Sequence, residues 1–224
     1  MLKAFKYCIL ASAVQQEQLA GIFGSCRFVW NLGLETRITA YKSYGNSLNC
    51  FDLIKQTTEL KNTDAPWLSD SPSQALQMRL RNQDNAYTAF FKGGGFPKFK
   101  SKHGKQSFQL PQGVKVDFEK GGVFLPKLKW VDCVFSRTFE GEIKTVTVSK
   151  STTGKYFVSL LIDNGKDLPK KKPVEGNTTV GIDLGIKDFA ITSEGEILPN
   201  HRFFYFETLA GGATKPCPKS ERFG

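Results

Sequence analysis

Apolar and polar positions alternate through the opening Met1-Leu2-Lys3-Ala4-Phe5-Lys6-Tyr7-Cys8-Ile9-Leu10. A period of two predicts a strand over 2–10. At Ser12 the period changes. Ser12 and Gln15 have capping-box spacing, and Leu19, Ile22, Phe23, Cys26, Trp30 and Leu34 recur at helical intervals. This helix is predicted to reach about Tyr44, where Gly45-Asn46 ends it. A second helix is expected over roughly Phe51 to Leu60. A third opens at Ser71-Pro72-Ser73-Gln74, read as another capping box with Pro at the first helical position. It turns Leu76, Leu80, Tyr87, Phe90 and Phe91 inward, with Gln77, Arg79, Arg81 and Lys92 mostly outward. Gly93-Gly94-Gly95 stops it.

Beyond the glycines the pattern is short and alternating: Ser107 to Leu110, Val114 to Phe118, Val123 to Leu125, Glu142 to Ser149 and Tyr156 to Ile162. The last two flank Ser151-Thr152-Thr153-Gly154, a hairpin signal. Strands at this spacing predict a small barrel or sandwich. Lys166 to Pro173, holding Lys170-Lys171-Lys172, reads as an exposed linker. Two apolar strands then follow around Asp183, and Glu194-Gly195 turns into a third near Ile197. The tail after Ala210 shows no core-building pattern. The layout is a strand, a helical insert, a β-barrel, a basic linker and the opening of an α/β sheet.

Charge changes the picture. The chain has 31 Lys+Arg against 21 Asp+Glu, a formal net charge of +10. That excess favours a polyanion, nucleic acid ahead of an anionic membrane. Phenylalanines interleave with cations in Phe96-Pro97-Lys98-Phe99-Lys100-Ser101-Lys102-His103-Gly104-Lys105. Lys98, Lys100, Lys102 and Lys105 suit phosphates, while Phe96 and Phe99 either stack on bases or pack into the barrel. Gln77 and Arg81, four apart on one helical face, suit base edges or phosphate. Trp30 and Trp67 read as core. No apolar run is long enough for a membrane span, and the alternating start excludes a signal peptide. The five cysteines are scattered without zinc-site spacing, so reduced thiols and a cytoplasmic location are expected. Two histidines, His103 and His201, leave no multi-His site.

One carboxylate stands out. Asp183 lies in the apolar run Val180-Gly181-Ile182-Asp183-Leu184-Gly185-Ile186-Lys187-Asp188-Phe189-Ala190. An Asp buried in such a strand is costly unless a cation meets it, and a divalent metal is the usual partner. On pattern alone an Asp near a Gly-containing hairpin is more often a turn residue. Asp188 adds a second oxygen or serves the hairpin. Gly181-Ile182-Asp183-Leu184-Gly185 also resembles the phosphate motif of actin-like ATPases, but Ile186, Lys187 and Asp188 replace the Thr or Ser expected next.

Four stretches in order carry a resemblance: Gly24-Ser25-Cys26-Arg27-Phe28-Val29-Trp30-Asn31, Gly95-Phe96-Pro97-Lys98-Phe99-Lys100-Ser101-Lys102, Leu125-Pro126-Lys127-Leu128, and Gly181 to Ala190. Together the chain resembles TnpB, the RNA-guided DNA nuclease of bacterial insertion sequences, over most of residues 1 to 206. The resemblance implies an α+β fold: a wedge β-barrel (1–13 and 96–175), an inserted helical recognition lobe (14–95), and the first strands of a ribonuclease H-like (RuvC) α/β domain (176–224). It implies guide RNA and target DNA as partners, and Mg²⁺ as the family's cofactor, with Asp183 at the position of the first metal-binding carboxylate. The family's later Glu and Asp, and its four-Cys zinc ribbon, have no counterpart here, so no zinc is expected. After Phe206, Gly, Pro and Cys stand where the family has a Lys/Arg-rich helix. The expectation is a truncated copy that binds nucleic acid without cutting by itself. The alternatives are an endonuclease completed by a second chain, and a nuclease-dead regulator.

Overall fold

The computed structural model describes residues 1–168 and 179–200. They fall in two units, Met1–Leu168 and one within Pro169–Gly224. Lys170 to Lys172, His201, Cys217 and the tail lie outside the described residues.

The first unit mixes helices with an antiparallel sheet. Strand β1 (Leu2–Leu10) leads through Ser12 into α1 (Ala13–Tyr44). The expected cap forms: Ser12 Oγ accepts from the Gln15 amide, and Gln15 Oε1 accepts from the Ser12 amide. Gly45 ends α1 in the left-handed region, φ 67°, with its N–H returned to the last turn. Helix α2 (Cys50–Asn62) is capped by Asn49, whose Oδ1 accepts from Phe51 and Asp52 amides. A 3-10 turn over Pro66–Asp70 then precedes α3 (Ser73–Phe91).

The third helix departs from expectation in three ways. Ser71 does not cap it. Pro72 holds the cap position without a side-chain bond, because the 3-10 turn carries Ser71 inside. There its hydroxyl donates to Ser25 Oγ, which donates to the Gly21 carbonyl. Phe91 is 80% exposed, on the solvent side of the last turn. Arg79, expected outward, is half-buried and donates to the Ser107 carbonyl.

Seven strands form one sheet: β1 with β2 (Gln106–Leu110), β3 (Lys115–Asp117), β4 (Gly122–Leu125), β5 (Lys129–Val134), β6 (Glu142–Lys150) and β7 (Tyr156–Asp163), in the order β2-β6-β7-β1-β5-β4-β3. The order is open; no ladder joins β2 to β3 among the described residues. Strand β1 sits between β7 and β5, so the helices leave the sheet from its middle and return to its edge at β2. Period-two burial holds along β7, where Tyr156, Val158, Leu160 and Ile162 all point inward. The β6–β7 hairpin turns at the Ser151–Gly154 signal. Strand β5 was not expected. It alternates Val131 and Cys133 inward with Trp130 and Asp132 outward. Its entry bends at Lys127 and Lys129, with φ 72° and 62°, positions no glycine marks.

The second unit, in its described part, is an antiparallel meander of β8 (Ile182–Leu184), β9 (Asp188–Thr192) and β10 (Ile197–Pro199), ordered β10-β9-β8. The three strands match the expected ones. Asp183, read as a carboxylate costly to bury, is exposed, as are Ile182, Leu184, Ile186 and Phe189 beside it.

Candidate nucleic-acid interface

Residues 96–100 are anchored on the helices, although Pro97 alone in 96–105 is buried. Phe96 packs edge-on against Tyr87 and Phe90 of α3, ring centroids 5.7 and 5.3 Å away. So Phe96 rests on a helix and not in the sheet, and Phe99 is exposed; neither takes the barrel position considered for them. Pro97 is buried. Helix α1 then grips the main chain. Trp30 Nε1 donates to the Lys98 carbonyl at 3.0 Å. Asn31 Nδ2 donates to the Lys100 carbonyl at 3.0 Å, and Asn31 Oδ1 accepts from the Lys100 amide at 2.8 Å. The Asn31 amide thus completes both backbone bonds of one residue, as a neighbouring strand would. Trp30 is core, as expected, but its ring also carries the Lys100 ammonium 4.3 Å from its centroid.

This clasp gathers cations. Arg27 from α1, Arg79 from α3, and Lys100 and Lys105 from the loop line one small pocket with Ser101 and Gln106, over Phe23. Partial burial lowers the Lys100 pKa from its usual range, and the charges of Arg79 and Lys105 lower it further. None of the four has a carboxylate within ion-pair reach among the described residues; the ion pairs there involve Arg37, Lys120, Lys144 and the amino terminus. Four like charges held together without a counter-charge form a site that an anion relieves, and a phosphate diester carries the charge and acceptors these donors suit.

Of the predicted lysines, Lys100 and Lys105 meet here. Lys98 and Lys102 are exposed, and contribute carbonyls to Trp30 and to Gln106. Gln77 and Arg81 lie exposed on α3, outside the pocket. Arg27 and Arg79 were missed as site residues. Arg27 sits three and four positions before Trp30 and Asn31, so its shared helix face was readable. Nothing local marked Arg79, whose orientation depends on β2 packing against α3.

Asp183 lies opposite Ile191 in the β8–β9 ladder of the second unit. Asp188 begins the next strand, and its carbonyl lies 3.0 Å from where a Cβ on Gly185 would stand, so the intervening turn is tight. Among the described residues, no three His, Cys, Asp or Glu side chains come together to hold a metal. A two-metal centre needs several carboxylates; the described donor set does not fit one.

Residues 1–46 match the family model HTH_OrfB_IS605, described as a helix-turn-helix domain; here they form β1 and the unbroken α1. A protein of Escherichia coli strain K12 named as an RNA-guided DNA endonuclease, InsQ, is 35% identical over 198 residues, covering 88% of this chain and 48% of its own length. The chain belongs to the TnpB-like family. A Streptomyces pristinaespiralis protein, also named as an RNA-guided DNA endonuclease, is 32% identical over 204 residues, covering 88% of this chain and 50% of itself. The chain therefore spans about half the length of the curated relatives it matches. A chain of the cryo-EM structure of a Cas12f1–sgRNA–target DNA complex aligns over 88% of this chain and 54% of its own, with TM-score 0.40 and 14% identity. In this TnpB-like chain the first two family stretches are the two halves of one contact: Trp30 and Asn31 from the first hold Lys98 and Lys100 of the second. No helix among the described residues is long and apolar enough to cross a membrane.

Proposed function

We propose that the described part of this chain binds guide RNA and target-adjacent DNA, as the N-terminal portion of a TnpB-like RNA-guided DNA endonuclease. The observation that carries this reading is the uncompensated pocket of Arg27, Arg79, Lys100 and Lys105, held in place by Trp30 and Asn31. In this reading, residues 1–13 and 96–175 form the wedge barrel, 14–95 the recognition lobe, and 176–224 belong to a RuvC-like domain. Lys98 and Lys102 extend the phosphate track from the pocket, and Gln77 and Arg81 present a second polar face on α3. Asp183 occupies the family's first Mg²⁺-ligand position. The described residues bind and orient; cutting is not assigned to them.

The test is the salt dependence of binding to labelled RNA and duplex DNA. Each phosphate neutralised contributes a log–log slope of about −0.9 on duplex DNA and about −0.7 on single strands. The triple substitution Arg27→Ala, Lys100→Ala, Lys105→Ala is expected to flatten the slope by about two to three units. A slope equal to the wild type's removes the pocket from the interface.

A further inference from the structure

Trp67 was read as core, yet it is 45% exposed. Its ring meets Phe28 edge-on, centroids 5.0 Å apart, which fixes its orientation while leaving a face to solvent. It forms one wall of a groove of about 520 Å³ between the start of α1, the 3-10 turn and the β4–β5 hairpin. That volume falls within the roughly 300–1,000 Å³ of small-ligand sites. Gly21 contributes to its lining, and a Cβ built there meets nothing within 4 Å. Gln18, Asp70 and Lys127 line the same groove, and no side-chain hydrogen bond or ion pair engages them among the described residues. Lys127 is held at φ 72°, a conformation that costs free energy for a residue with a side chain. Next to it stands Lys61, whose ammonium donates to Ser73 Oγ at 2.9 Å. Burial, then the Lys127 charge, lowers the Lys61 pKa. Neither lysine has a carboxylate within ion-pair reach among the described residues.

We infer that this groove takes one unpaired nucleotide of a bound strand, its base on Trp67 and its phosphate at Lys127 and Lys61. The inference rests on the nucleic-acid-binding reading and names a second site for it, away from the Lys100 pocket. An aromatic face, hydrogen-bonding groups and a lysine lining one groove, with a second lysine within electrostatic reach of the first, are the contacts that a base, a sugar and a phosphate use. The carboxylate of Asp70 accepts only, so it selects a base with an exocyclic amine. Cytosine, adenine and guanine carry such an amine; thymine and uracil carry none. Glu17 also lines the groove and its carboxylate opposes any anion there, so the base on Trp67 supplies the anchor.

The experiment uses the full chain and two single-stranded probes, oligo-dC and oligo-dT decamers, followed by fluorescence anisotropy across salt. The wild type is expected to bind oligo-dC at least about fivefold more tightly. Gly21→Leu fills the groove and removes a helical glycine, so it raises Tm while bringing oligo-dC affinity down to that of oligo-dT. Trp67→Ala produces the same loss. Lys127→Gly keeps the left-handed backbone and flattens the slope by about 0.7. If Gly21→Leu and Trp67→Ala bind both decamers as the wild type does, the groove is not a nucleotide site. That result beside a flattened slope in the Arg27, Lys100, Lys105 triple variant leaves the broader reading standing. Failure of the wild type to bind either decamer overturns both.

Discussion

Asn31 shows how one side chain converts a loop into an interface. Its amide makes two hydrogen bonds to the backbone of Lys100, and so sets where that ammonium stands over Trp30 and beside Arg79 and Lys105. Asn31→Ala removes both bonds at an exposed edge where water replaces them, a cost of about 1 kcal/mol in stability. Its effect on binding separates position from charge: Kd is expected to rise several-fold, with the salt slope within about half a unit of the wild type's. An equal fall in slope would show that Lys100 had left the phosphate, and an unchanged Kd would show that the clasp is structural alone. Two thiols behave differently. Burial pushes Cys26 up to about 11 and Cys133 up to about 12, so both stay protonated and inert at neutral pH.

At the scale of elements, α1 is the organiser. It packs Gly33 against Leu80 and Gln83 of α3 and Leu53 of α2. Gln83, fully buried, donates to the Trp30 carbonyl, and Arg37 pairs with Asp84, whose other oxygen accepts the Cys50 amide at 3.2 Å. Two glycines of this helix predict opposite outcomes. A Cβ at Gly33 comes within 3.0 Å of Gln83 Oε1 and Leu80 Cδ2 and 3.2 Å of Leu53 Cδ1. Crowding costs about 1–3 kcal/mol in a packed core, more than the about 1 kcal/mol of helix propensity that Ala brings. Gly33→Ala should therefore lower the urea midpoint. Gly21→Ala has only the propensity gain, and should raise it. The same midpoint shift for both would contradict the packing described. These elements were largely legible: Ser12, Gln15 and Gly45 gave the bounds of α1, and alternation gave β1, β6 and β7. What local pattern could not supply was tertiary. Ser71 was drawn into the Ser25 pair, β5 entered through left-handed lysines, and Arg79 was turned by β2. Of the pocket, two of four cations were named in advance, because the loop advertised its lysines while the arginines came from helices folded beneath it.

For the whole molecule, a net charge of +10 over 224 residues gives attraction to any polyanion; what distinguishes a site is where charge is left unpaired. The pocket is such a place. Asp183, exposed on β8, is not part of it. Asp183→Ala is accordingly expected to leave RNA and DNA affinity unchanged within twofold; a larger loss would place β8 at the interface. The central claim is that nucleic acid seats on the Lys100–Lys105 pocket. Its most direct measurement is lysine-reactivity footprinting: limited acetylation of the full chain with and without bound RNA, read by peptide mass spectrometry. The account predicts strong protection of Lys100 and Lys105, weaker protection of Lys98 and Lys102, and none at Lys144 and Lys187. Equal acetylation of Lys100 and Lys105 with and without RNA, at saturating binding, would contradict it.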